Sequence, residues 1–292
     1  MNVIETHTVT LLNEAIRFVD YAIGVFDGFE TRNSVKKGIK KGCFLVNGTL
    51  AETGTWLNEG DQIELLEKLH RPKAYDKKIE IVYQDQYLAI VNKPAGLIVS
   101  GNQFKTLENC LVDQIELSKE EDALEWALPV HRLDAPTSGL VIFAKTKSAR
   151  RMLGEMLEEK LITKHYHAIL HGIPQNQTIQ DTIDGNKAES KLIVVKSVRS
   201  LQNEHLTLVQ LEPITGRTHQ LRIHCNRIGQ AIVGDRQYSN ANGTVKNKGL
   251  FLAATSVEFD HPITSGKVKV SIAIPNKFSS LLDREERRAE RY

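Results

Sequence analysis

From residue 79 onward, one strand-like segment follows another with few helices between them. IEIVY (79–83), YLAIVN (87–92), GLVIFAK (139–145) and the stretches 166–171, 190–198, 205–211, 250–257 and 268–274 are runs of strand length, rich in apolar and β-branched residues. Two stretches interrupt them. SARRMLGEMLEEKLI (148–162) carries Met152, Leu153, Met156 and Leu157 on one side of a predicted helix. RTHQLRIHCNRIG (217–229) places Leu221, Cys225 and Ile228 at i, i+4 and i+7, with Gly229 as a stop. A doubly wound fold needs a helix between successive strands. This order instead predicts a mixed or antiparallel sheet, with GLVIFAK as a strand buried on both faces.

The first 70 residues have a different texture and read as a small α+β module. TVTLLNEAIRFVDYAI (8–23) spaces Leu12, Ala15, Ile16 and Val19 at helical intervals. A second helix is predicted from Arg32 to Lys41, with Thr31 as its N-cap. In GCFLVNGTLA (42–51), Asn47-Gly48 suits the positive φ angles of a type I′ hairpin, and EGDQIELLE (59–67) supplies a further strand. The polar, proline-bearing run that follows marks a linker at 71–78, so the domains are expected at 1–70 and 79–292.

A net charge of +2 says little about partners, but its distribution says more. Residues 1–72 hold eight Lys and Arg against ten Asp and Glu. Within that acidic segment, TRNSVKKGIKK (31–41) gathers Arg32, Lys36, Lys37, Lys40 and Lys41 with no acid, a stripe suited to an anionic polymer or simply to water. The tail LLDREERRAERY (281–292) balances four Arg with four acids, which reads as a self-neutralising helix end. Cys43, Cys110 and Cys225 are odd in number and form no CxxC, which argues for a reducing compartment, with cytoplasm as the default. No apolar run reaches the roughly 18–20 residues of a membrane span, and the N-terminus lacks a secretory layout.

Three segments of the larger domain are unusually polar for the lip of a sheet. HRLDAPTSGL (131–140) packs His131, Arg132 and Asp134 before a Pro-Thr-Ser-Gly turn. KHYHAILHG (164–172) begins a strand at Tyr166, and PITGRTHQLRIH (213–224) carries Arg217, His219, Arg222 and His224. Taken alone, Asp134 is a turn residue capping backbone N–H groups. Held ionised at a buried site, it needs a cation, and arginine is suited to bidentate pairing.

HRLDAPTSGL resembles the signature of the RluA-type pseudouridine synthases: HRLD, two variable residues, TSG and an apolar strand. Three further blocks resemble that family in the same order: YLAIVNKPAGLIV (87–99), KHYHAILHG, and PITGRTHQLRIHCNRIGQAIVGDRQY (213–238). The first 70 residues resemble an S4-type RNA-binding module, whose basic second helix lies against structured RNA. The resemblance implies an α+β chain: a large mixed or antiparallel-sheet catalytic domain of pseudouridine synthase type, with a small N-terminal S4-like domain.

It further implies an isomerase that turns a uridine of structured RNA, ribosomal or transfer, into pseudouridine without a cofactor; no metal set is evident in the sequence, and a monomer is the default expectation. Asp134 matches the aspartate that attacks the uridine, at base or ribose. Tyr166 matches the tyrosine packed on the target base, and Arg222, in preference to Arg217, the arginine paired with the aspartate. Arg132 matches an arginine that fills the space a flipped nucleotide leaves, while Arg217 and His219 are further RNA contacts. In the S4-like module, Arg32, Lys36, Lys37, Lys40 and Lys41 would face RNA. The sequence departs from the family pattern in Pro136 beside the turn, in Ser100, and in Gln230-Ala231 before Ile232. Two rivals compete: a non-catalytic RNA-binding protein of the same fold, and a hydrolase pairing Asp134 with His131. The second lacks a GxSxG-type elbow.

Overall fold

The structure is a computed structural model that describes residues 3–10, 14–66, 72–239 and 248–291. The chain divides into two compact units, Met1–Arg71 and Pro72–Tyr292, each of which is considered by itself.

The first unit contains β1 (Val3–Thr8), β2 (Ile16–Arg17), α1 (Phe18–Tyr21), α2 (Arg32–Lys40), β3 (Phe44–Val46), β4 (Thr49–Leu50), β5 (Trp56–Leu57) and β6 (Gln62–Leu66). An antiparallel sheet runs β1-β6-β3-β4, and β2 pairs with β5. The hairpin forms as expected, with φ of 49° at Asn47 and 76° at Gly48. Helix α2 also starts where its cap predicts. Thr31 Oγ1 accepts the Ser34 N–H at 3.1 Å and Ser34 Oγ accepts the Thr31 N–H at 3.1 Å, a capping box worth about 0.5–2 kcal/mol. Its Val35, Gly38 and Ile39 face is buried. A Cβ on Gly38 would stand 2.5 Å from Phe29 and 2.6 Å from Phe44, so only glycine lets the helix come this close to the aromatic cluster.

The long first helix expected over 8–23 does not form. Leu12 lies outside the described residues. Ile16 instead pairs with Leu57 in β2, which takes its backbone hydrogen bonds from any helix. Among the described residues of this stretch, the helical part is the single turn Phe18–Tyr21, which buries Phe18 and Val19.

The second unit contains β7 (Glu80–Gln84), β8 (Leu88–Lys93), α3 (Leu107–Leu111), β9 (Ala123–Pro129), β10 (Ser138–Thr146), α4 (Lys147–Glu158), β11 (Thr163–His171), β12 (Gln177–Ile183), β13 (Asn186–Ser200), β14 (Glu204–Pro213), α5 (Gln220–Arg227), β15 (Leu252–Asp260), β16 (Lys267–Ser271) and α6 (Asn276–Ala289). A ten-stranded sheet runs β12-β13-β14-β11-β15-β10-β8-β7, with β16 on β15 and β9 on β10. Its pairs are antiparallel except β10 with β15, so the sheet is mixed.

Period-two alternation divides the core. Ala89, Val91, Val141, Phe143, Tyr166, Ala168 and Leu170 face one side. Leu88, Ile90, Leu140 and Ile142 face the other, under Ala149 and Leu153 of α4. Fully burying a side chain of this kind contributes about 1.5–3 kcal/mol, so the two-sided core fixes the strand register firmly. Among the described residues, no helix is long and apolar enough to cross a membrane.

Candidate active site

The register of the sheet brings the polar segments together. Gly139 of β10 and Tyr166 of β11 both pair with Ala254 of β15, one from each side. The parallel contact is so close that a Cβ on Gly139 would lie 2.0 Å from the Ala254 carbonyl oxygen, and Gly139 has a φ of 113°. Only glycine closes the turn here. The loop before it, 131–137, is thereby carried to the end of β11.

That loop is tied from below by a residue not expected at the site. Lys93, at the end of β8, is fully buried and its Nζ donates to the carbonyls of Leu97 at 2.7 Å and of Pro94 and Ala135 at 3.1 Å. Burial pushes its pKa down to about 8, against the opposing pull of Asp134. The ammonium therefore pins the carbonyl of the residue that follows Asp134.

A cavity of about 540 Å³ opens above the loop, lined by Asp134, Lys164, Tyr166, Arg217, His219 and Arg222 among others. Asp134 Oδ2 accepts from Arg222 Nη1 at 3.1 Å, and its Oδ1 lies 3.5 Å from His219 Nε2. Arg222, on the buried face of α5, gives its Nε and Nη2 to Asp235 Oδ2 and Oδ1 at 2.8 and 2.9 Å, a bidentate fork. Asp235 is 1% exposed. Burial pushes its carboxyl upward, but Arg222 and the backbone N–H groups of Gln237 and Tyr238 outweigh this and lower its pKa below the usual value. Arg222 is thus fixed by one buried carboxylate while it reaches the other.

Tyr166 is buried beside this pair, and burial first, then the charge of Asp134, raise the pKa of its hydroxyl. It stands in the cavity as a neutral phenol. Lys164 is half-buried, and burial lowers its pKa. Arg132 is exposed among the lining residues.

The two candidate arginines of the third segment separate in space. Helix α5 begins at Gln220, three residues later than the periodicity suggested, because His219 adopts a left-handed φ of 55°. Arg217 therefore stays in the loop and donates its Nε to the Lys187 carbonyl at 3.1 Å, while Arg222 meets Asp134. His219, expected to face RNA, lines the cavity and stands against Asp134. His131 turns into the sheet: its Nε2 accepts the Ile142 N–H at 3.1 Å, and burial, with Lys164, pushes its pKa down to about 3. A neutral imidazole bonded to a strand is unavailable as the base of a hydrolase.

In the first unit, Arg32 pairs with Asp20 at 3.2 Å. Lys36, Lys37, Lys40 and Lys41 are exposed. Lys93, Lys164 and Asp235 join the site without a signal of their own in the sequence, although they lie within NKPAG, KHYHA and GDRQY, three stretches of the family-like blocks.

Residues 87–227 match the family model described as RNA pseudouridylate synthase. The chain is 34% identical over 204 residues to "Dual-specificity RNA pseudouridine synthase RluA" of Haemophilus influenzae, covering 64% of this chain and 89% of that protein. It is 30% identical over 278 residues to "Uncharacterized RNA pseudouridine synthase YlyB" of Bacillus subtilis, covering 87% of this chain and 89% of the relative. Against "Ribosomal large subunit pseudouridine synthase C" of Rickettsia bellii the identity is 29%, over 85% of this chain and 91% of the relative. The solved structure of "Human RNA Pseudouridylate Synthase Domain Containing 1" superposes with a TM-score of 0.57 at 26% identity, covering 68% of this chain and 84% of that one.

Proposed function

Because the chain belongs to the RNA pseudouridylate synthase family, of the RluA type, we infer that it isomerises a uridine of a structured RNA to pseudouridine with Asp134 as the nucleophile. One observation carries the assignment of Asp134. Its carboxylate lines an open cavity while Arg222, itself anchored on buried Asp235, holds one of its oxygens at 3.1 Å. A turn residue that only caps backbone groups needs no such partner. A carboxylate nucleophile must be fixed in place, and Arg222 on one of its oxygens does this.

The isomerisation balances within the nucleotide. The N1–C1′ bond breaks, the uracil turns while still bound, and C5 bonds to C1′. The C5 proton then leaves and N1 gains one. Attack by Asp134 at the ribose displaces N1 from C1′, and the ester so formed breaks as C5 bonds to C1′. Attack at the base forms an adduct whose bond to Asp134 breaks before the product leaves. Either route returns the free carboxylate and gives the same product. A uridine stacked in a folded RNA cannot reach the carboxylate, so it is flipped out at a cost of a few kcal/mol. Stacking on Tyr166 returns about 1–3 kcal/mol of this, and Arg132 fills the space left behind. Arg217 and Lys164 line the cavity, and their positive charge supports a role in meeting the backbone phosphates. The first unit adds affinity through Lys36, Lys37, Lys40 and Lys41. The relatives' names support RNA as the substrate, ribosomal RNA among the choices. A non-catalytic RNA-binding role would leave the Asp134–Arg222–Asp235 arrangement without a purpose.

The test is to incubate the protein with total RNA from cells lacking the enzyme and map pseudouridines. Gain of modification at a defined position supports the reading, and RNA that stays unchanged contradicts it.

A further inference from the structure

Tyr238 touches both groups that hold Asp134. Its hydroxyl lies 2.8 Å from His219 Nδ1, its ring meets that imidazole edge-on at 5.6 Å, and the Arg222 guanidinium carbon sits 5.0 Å from its ring centre. Gln237 completes the set: its Oε1 accepts from Arg222 Nη2 at 3.3 Å, and its Nε2 donates to the Tyr238 hydroxyl oxygen at 3.3 Å.

These contacts form a ring with a direction. Arginine has only donors and an ionised carboxylate only acceptors, so Arg222 must begin each branch and Asp134 must end it. The short branch is Arg222 Nη1–H to Asp134 Oδ2. On the long branch, Arg222 fixes the Gln237 carbonyl, which turns the Gln237 amide nitrogen toward Tyr238. The Tyr238 oxygen, receiving that N–H, gives its own proton to His219 Nδ1. The remaining imidazole proton is then on Nε2, 3.5 Å from Asp134 Oδ1. The opposite tautomer would set the Nε2 lone pair against a carboxylate oxygen and leave the tyrosine proton without the histidine acceptor.

We propose that Tyr238, oriented by Gln237, is a positioning residue that sets the tautomer of His219 and so presents Nε2–H to the second oxygen of Asp134. With Arg222 on one oxygen and His219 on the other, the carboxylate cannot rotate and offers a defined lone pair to the uridine. The mechanistic half of this rests on the reading of Asp134 as nucleophile; the tautomer does not.

The test combines ¹⁵N spectra of histidine-labelled protein, read at the high-pH limit where imidazole is neutral, with single-turnover kinetics. The His219 signal is assigned by its loss in His219→Gln. Wild type is expected to show His219 protonated at Nε2. Tyr238→Phe keeps the ring on Arg222 and removes the hydroxyl, so His219 should become a mixture of tautomers. The maximal rate should fall about 10-fold with KM unchanged. An Nδ1-protonated His219 in the wild type, or a Tyr238→Phe protein with unchanged tautomer and rate, overturns the proposal. The wild-type spectrum decides the tautomer even if the variant folds poorly. An Nε2–H tautomer combined with full activity in Asp134→Asn would sink the nucleophile reading while leaving the tautomer assignment intact.

Discussion

Asp134 and Arg222 are 88 positions apart in the chain, yet Oδ2 and Nη1 meet at 3.1 Å. The rest of the same guanidinium is occupied by Asp235, the more deeply buried of the two carboxylates. Arg222 therefore links a structural anion to one exposed in the cavity, and its two roles can be separated.

Replacing Asp235 with Asn should destabilise the protein by about 3–5 kcal/mol, the cost of breaking a buried pair from one side. Arg222, with its fork gone, should also lose its aim at Asp134. Denaturant unfolding measures the first effect and pseudouridine formation the second. Arg222→Lys, which keeps the charge but loses the fork, should likewise reduce activity.

His131 gives a pH signature. Its folded pKa is depressed to about 3 from an ordinary 6.5, so the unfolded chain binds the extra proton first as pH falls. The stability this contributes is complete above 6.5 and is lost on the way down to about 3. Unfolding free energies at pH 7 and pH 5 should show the wild type losing up to about 1.4 kcal/mol per pH unit more than His131→Gln. Parallel pH profiles would mean that His131 is not held neutral.

Tyr166 should divide by chemistry. Tyr166→Ala removes the stacking surface and should weaken binding of substrate RNA by about 1–3 kcal/mol, seen as a raised KM. Tyr166→Phe keeps the surface, so its KM should stay near that of wild type. A lower maximal rate in Tyr166→Phe would assign the hydroxyl to proton handling at C5.

Neutralising Lys36, Lys37, Lys40 and Lys41 to Gln should weaken RNA binding and flatten its dependence on salt. Each lost phosphate contact should remove about 0.7–0.9 from the slope of log K against log salt. A binding isotherm series across salt checks this, and an unchanged slope would remove the stripe from the RNA interface.

Local chemistry made much of this legible. The α2 cap, the Asn47-Gly48 hairpin and the buried β10 strand follow from patterns within a few residues of one another, and the mixed sheet from the order of the strand segments. Elements decided by distant partners were harder to read. Val3–Thr8 is largely exposed and polar, and is a strand because β6 pairs with it. Ile16 leaves its helical pattern because Leu57 takes its backbone, and Ala123–Pro129 is ordered on β10. At the site, HRLD announces itself by crowding, whereas Lys93 acquires meaning only when Ala135, 42 residues on, folds over it. Asp235 looks like an ordinary loop carboxylate until Arg222 is seen, and the contact of His219 with Asp134 shows only once the start of α5 brings the two together.

The central claim rests on one carboxylate, and one substitution tests it most directly. Asp134→Asn keeps the size of the side chain and leaves the Arg222–Asp235 fork in place. Under single-turnover conditions with RNA from cells lacking the enzyme, the wild type should convert its uridine to pseudouridine. The variant should bind the same RNA and form none. Pseudouridine formed by Asp134→Asn at a rate near the wild type would show that another group carries the reaction.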